Sequence, residues 1–126
     1  IFDVFNSDLK HILKRYVKKF SNPNYTVIDF GCGTGKAFPL LTQHFKNIIG
    51  TDLSAALLKQ AKARNFPHVE VIKADLSKPL NGFPQAEFAF CCNVIMLQDE
   101  KKNFNMLQNI YRQLKSNGHA MLIVPS

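Results

Sequence analysis

Four short segments of this 126-residue chain hold the side chains best suited to chemistry. The densest is Asp29-Phe30-Gly31-Cys32-Gly33-Thr34-Gly35, where three alternating glycines let backbone pass close to a ligand and a carboxylate precedes the first by two residues. Asp52, Asp75 and Asn93 stand in the other three, each following a run rich in apolar residues. Two familiar glycine loops cradle phosphates through their backbone N–H groups, but neither spacing is met here. Read as G-x-G-x-x-G from Gly31, the last position is Lys36, and from Gly33 it is Phe38, where helix packing needs a small residue. Read as G-x-x-x-x-G-K-[ST] on Gly35-Lys36, the first glycine falls on Phe30 and the final hydroxyl on Ala37. Asp29 would repel a pyrophosphate and attract a cation, so the loop is expected to hold a positively charged, phosphate-free ligand.

Other candidate chemistry is weaker. Cys32, Cys91 and Cys92 have neither C-x-x-C spacing nor an even count, so reduced and mostly buried thiols are expected, with no metal site. His11, His44, His68 and His119 share no spacing, and a surface or edge position is the default for each. No residue is assigned a catalytic role.

The segments need a scaffold that gathers them. Residues 25–30 are β-rich, 36–45 suit a helix with Pro39 in or near its first turn, and 47–51 suit a short strand ending at Asp52. Ser54 is placed as the N-cap of a helix over 55–64, followed by a strand over 69–73 that ends near Asp75. Two prolines and Asn81-Gly82 predict a loop over 76–84 before the apolar strand 88–92, with Asn93 at its end. A helix over 103–114, with Phe104, Leu107, Ile110, Tyr111 and Leu114 toward the core, then turns at Ser116-Asn117-Gly118 into a strand over 120–124. Such alternation requires right-handed crossovers and a parallel sheet covered on both faces. The expected fold is α/β, a three-layer Rossmann-like sandwich of one domain over residues 1–126, with five parallel strands whose carboxyl ends carry the polar residues.

Ahead of this unit, a helix from Ser7 would align Leu9, Ile12, Leu13, Tyr16, Val17 and Phe20 in one apolar stripe. Lys10, Lys14, Arg15, Lys18 and Lys19 fall mainly opposite and account for much of the formal charge of +7. Without aromatic interleaving or a recognition motif, a solvated face is the plainer reading, and nucleic-acid contact is open but not indicated. No run of eighteen apolar residues occurs, and the first six residues are too short and polar for a signal peptide. A soluble, cytoplasmic protein without membrane contact is therefore expected.

Taken together, Val27 to Gly35 resembles the first motif of the class I S-adenosylmethionine-dependent methyltransferases. Ile48-Ile49-Gly50-Thr51-Asp52-Leu53-Ser54 resembles their acidic ribose-binding strand end, and Val71-Ile72-Lys73-Ala74-Asp75-Leu76 their adenine-holding segment. The fourth- and fifth-strand motifs have counterparts over residues 88–97 and 114–124, so the likeness runs over most of the chain. The resemblance implies S-adenosyl-L-methionine as cofactor. It places Asp29 near the methionine amino group, directly or through water, and lets Gly31, Cys32, Gly33 and Gly35 bring backbone to the ligand. By the same resemblance, Asp52 accepts both ribose hydroxyls, the Asp75 side chain accepts the adenine amino hydrogen, Leu53 and Leu76 pack near the ring, Ala74 belongs to the cofactor-binding set, and Asn93 lies by the methionine portion.

The acceptor is less marked. Cys92-Asn93-Val94-Ile95 does not match the Asn/Asp-Pro-Pro-aromatic motif of enzymes that methylate planar amino groups of bases, which favours a small-molecule acceptor. Leu97-Gln98 stands where many small-molecule members carry a histidine. The family normally adds two strands after the fifth, so a domain truncated at its C-terminus is expected. Its fifth-strand edge would be open to pairing with another copy. A cofactor-binding module without activity, and a nicotinamide-dependent oxidoreductase, are the alternatives; the failed dinucleotide spacing disfavours the latter.

Overall fold

The computed structural model describes residues 10–92 and 98–124. Among these, the elements run α1 (Lys10–Phe20), β1 (Asn22–Phe30), α2 (Phe38–Leu41), β2 (Phe45–Asp52), α3 (Ala55–Ala63), β3 (Val69–Lys73), β4 (Ala86–Cys92), α4 (Glu100–Gln113) and β5 (Leu114–Ile123). The strands form one sheet in the order β3-β2-β1-β4-β5, and every neighbouring pair is parallel. The chain winds outward from β1 through β2 to β3, then crosses back to β4 and on to β5. Strand order thus reverses between β1 and β4, where an open α/β sheet leaves a crevice at its carboxyl edge.

The central parts of β1, β2 and β4, residues 27–28, 48–49 and 88–91, are apolar because both faces are covered. Val27, Ile48, Phe88 and Phe90 pack with Leu13 and Val17 of α1, Phe38 and Leu41 of α2, and Leu58 and Ala61 of α3. Their sequence neighbours Ile28, Phe30, Ile49, Ala89 and Cys91 point to the other face and pack with Ile110 of α4. This period of two divides each strand between two cores.

Several elements depart from expectation for local reasons. The helix expected over 36–45 keeps only four residues: Pro39 confines its start, and Gln43 and His44 close i→i−3 bonds that end it. The turn expected at Ser116-Asn117-Gly118 lies inside β5, as an irregular stretch where the pairing with β4 shifts register and Asn117 adopts φ +65°. On α1, Leu13 and Val17 are buried, but Ile12 and Tyr16 stay about half exposed and line a groove against β5.

The largest correction concerns α4. Of its expected core face, Ile110 is buried, but Phe104, Leu107 and Tyr111 are exposed, Tyr111 at 78%. Met106, Asn109 and Gln113 are buried in their place. The helix is capped at Asp99, whose Oδ1 accepts from the backbone N–H groups of Lys101 and Lys102. Its inward face carries two amides because it meets the polar backbone of a loop as well as the sheet.

Candidate cofactor site

β1 delivers Asp29 to the middle of the sheet, level with Gly50 of β2 and Phe90 of β4. The residue is 2% exposed, and its Oδ2 has no hydrogen-bond partner among the described residues. Burial, and then the neighbouring Asp52 carboxylate, push its pKa well above the ordinary carboxyl range. A buried carboxyl with an open lone pair lacks a donor, and a cationic donor would satisfy it best.

The chain leaves β1 through a loop with left-handed backbone at three positions, a conformation glycine adopts most readily. Gly31, Gly33 and Gly35 have φ of +71°, +56° and +86°. Cys32 N–H donates to Thr51 O at 2.9 Å, tying the loop to β2, and Gly35 N–H donates to Cys32 O at 2.9 Å. A Cβ on Gly33 would meet nothing within 4 Å, so the loop opens there onto free space. On Gly35 it would lie 2.6 and 2.7 Å from the fully buried ring of Phe38. Gly35→Ala is therefore expected to lower unfolding free energy by about 2–5 kcal/mol, from left-handed backbone cost plus overpacking. Urea denaturation checks this, and a loss below about 1 kcal/mol would show that the Phe38 ring yields.

Asp52 ends β2 and grips the loop. Its Oδ2 accepts from Gly33 N–H and its Oδ1 from Ser54 N–H, both at 2.9 Å. Each oxygen keeps a further acceptor position, which matches the two adjacent hydroxyls of a ribose. Ser54 in turn caps α3 by accepting from Leu57 N–H. Leu53, next to the carboxylate, is 61% exposed, an apolar side chain free to cover a ligand ring.

At the end of β3, Ala74 N–H donates to Asp52 O at 3.0 Å and so sets the following residues beside β2. Asp75 Oδ1 accepts from Ser77 N–H at 3.0 Å and from Ser77 Oγ at 2.7 Å. The Ser77 hydroxyl first, and then its N–H, hold the Asp75 carboxyl below its usual range, so it is an ionised acceptor at neutral pH. Its Oδ2 lies 3.9 Å from the exposed Lys78 ammonium. Leu76 is half-buried against the second core. The structure thus brings Asp29, the glycine loop, Asp52, Leu53, Ala74, Asp75 and Leu76 to one sheet edge; Asn93 lies outside the described residues.

The model of the methyltransferase domain family matches residues 27–118. The chain belongs to that family. It is 29% identical over 106 residues to the trans-aconitate 2-methyltransferase of Deinococcus radiodurans, covering 82% of this chain and 39% of the relative. A TehB-like S-adenosylmethionine-dependent methyltransferase from Corynebacterium glutamicum superposes with TM-score 0.74 at 27% identity, over 86% of this chain and 59% of that one. CalS10, an amino pentose methyltransferase from Micromonospora echinaspora solved with S-adenosylmethionine bound, gives TM-score 0.76 at 20% identity, over 91% and 48%. The chain spans about half or less of the length of most such relatives.

Two further features of this methyltransferase domain leave little trace in the sequence. Thr51 is buried beside the loop with its Oγ1 unpartnered among the described residues; a hydroxyl one residue before Asp52 was the only signal. The amides Asn109 and Gln113 were hidden by the misplaced face of α4. Cys32 is buried, and its thiol pKa is pushed far up by burial and by the Asp29 and Asp52 carboxylates. Thiol reagents at neutral pH are therefore expected to label Cys32 only after unfolding, as followed by mass spectrometry. Native labelling as fast as in denaturant would contradict this burial.

Proposed function

We propose that this domain binds S-adenosyl-L-methionine and transfers its methyl group to a small-molecule acceptor by in-line displacement. The observation that carries this is Asp29, a buried carboxyl with an unpartnered oxygen behind a glycine loop, which suits an ammonium. The spare acceptor positions of Asp52 suit the ribose hydroxyls, and Oδ2 of Asp75 suits the adenine amino group. When bound, the cofactor supplies an already activated methyl on its sulfonium. The chain's residues then have to orient it, hold the acceptor in line and exclude water; none is required to act as a strong base.

A small-molecule acceptor is supported by the relatives, named for trans-aconitate and an amino pentose. With methyl-labelled S-adenosylmethionine, the full-length protein is expected to label a member of a panel of small carboxylic acids and amino sugars. Label passing only to nucleic acid or protein would contradict this acceptor class. Three cysteines that form no disulfide among the described residues fit a reducing, cytoplasmic setting.

A further inference from the structure

The loop between β3 and β4 begins with the proposed adenine-holding residues and has no helix of its own. What fixes it is α4. Asn109, 5% exposed, donates through Nδ2 to Leu76 O at 2.6 Å and to Lys78 O at 2.8 Å. One turn on, Gln113 sets its side-chain amide against the far end of the same loop, and with the amide nitrogen assigned to the side that faces the loop carbonyls it donates to Phe83 O at 3.2 Å and Pro84 O at 3.1 Å. The two carbonyls held by Asn109 bracket Ser77, the residue whose N–H and hydroxyl orient Asp75. A burial this deep on a helix facing a sheet ordinarily goes to an apolar residue. An amide there, using both donors on a segment more than thirty residues earlier, has the specific effect of fixing where that segment sits.

We infer that Asn109 is a positioning residue for cofactor recognition: by holding the Leu76 and Lys78 carbonyls it fixes the Asp75–Ser77 turn in the orientation that reads the adenine amino group. This role rests on the S-adenosylmethionine reading above. Asn109 touches no ligand and acts through Asp75. Gln113 anchors the opposite end of the loop and serves stability alone.

The test compares two ligands on the full-length protein: S-adenosylhomocysteine and its inosine counterpart, which carries a carbonyl where adenine has its amino group. Wild type is expected to prefer the adenine form by roughly tenfold or more, since a site built for a donor rejects an analogue lacking it. Asn109→Ala is expected to bring that ratio to within about threefold, while Gln113→Ala lowers the unfolding midpoint and keeps the ratio. A loss of stability alone would weaken both ligands equally and leave the ratio unmoved. Where Asn109→Ala does not fold, Asn109→Ser, with one short donor left, is expected to give an intermediate ratio. A wild-type ratio in the Asn109 variants, or the same collapse in Gln113→Ala, overturns the positioning role. Failure of the wild type to bind S-adenosylhomocysteine would instead overturn the cofactor assignment beneath it.

Discussion

Asp29→Asn is expected to weaken S-adenosylmethionine binding by about two to three orders of magnitude while the folded state is kept. Removing one partner of a buried charge pair costs roughly 3–5 kcal/mol, because the other charge is left uncompensated. In the free protein the substitution should do no harm, since Asp29 is desolvated and its Oδ2 unpartnered. The same residue gives binding a pH dependence of fixed sign. With its pKa raised, Asp29 holds a proton in the free protein to a higher pH than an ordinary carboxyl. Between the ordinary and the raised pKa the folded chain binds a proton that the unfolded chain has released, so this group's contribution to stability falls as pH rises. A cationic ligand favours the carboxylate, so binding should release protons and tighten as pH rises through the raised value. Calorimetry in two buffers of different ionisation enthalpy measures that release. Asp29→Asn should abolish it, and an unchanged release in the variant would remove Asp29 from the site.

Asp52→Ala should be the second largest loss, about 3 kcal/mol or roughly 150-fold in affinity, from two charge-assisted ribose contacts and the grip on the loop. The two contributions can be separated. Asp52 accepts from Gly33 N–H in the absence of ligand, so amide exchange at Gly33 should accelerate in the free variant. Asp52→Asn keeps one acceptor oxygen and should fall between the two. Equal affinity of wild type and Asp52→Ala would mean that the ribose is not read at β2.

Much of this was legible in sequence because parallel strands buried on both faces leave an unmistakable apolar signature. The apolar run 88–92 lies within β4 as expected, and Ser54 caps α3 through its hydroxyl. The acidic residues could be located because each lies within two residues of the carboxyl end of a strand. What could not be read depends on contacts between distant segments. The face of α4 follows a loop that needs two amides, so helical spacing of Phe104, Leu107 and Tyr111 pointed to the wrong side. The shortness of α2 comes from Pro39 together with tight closure at His44, which composition does not reveal. The engagement of Asp52 with Gly33 joins residues far apart in sequence, and no local pattern announces it.

The central claim is that the glycine loop and its leading carboxylate hold a cationic, phosphate-free cofactor. Titration calorimetry of the full-length protein with S-adenosylmethionine and, separately, with NAD tests it most directly. Saturable binding of S-adenosylmethionine, with no detectable heat from NAD and a loss of about a hundredfold or more in Asp29→Asn, is the predicted result. Tighter binding of NAD, or S-adenosylmethionine affinity indifferent to Asp29, would contradict it.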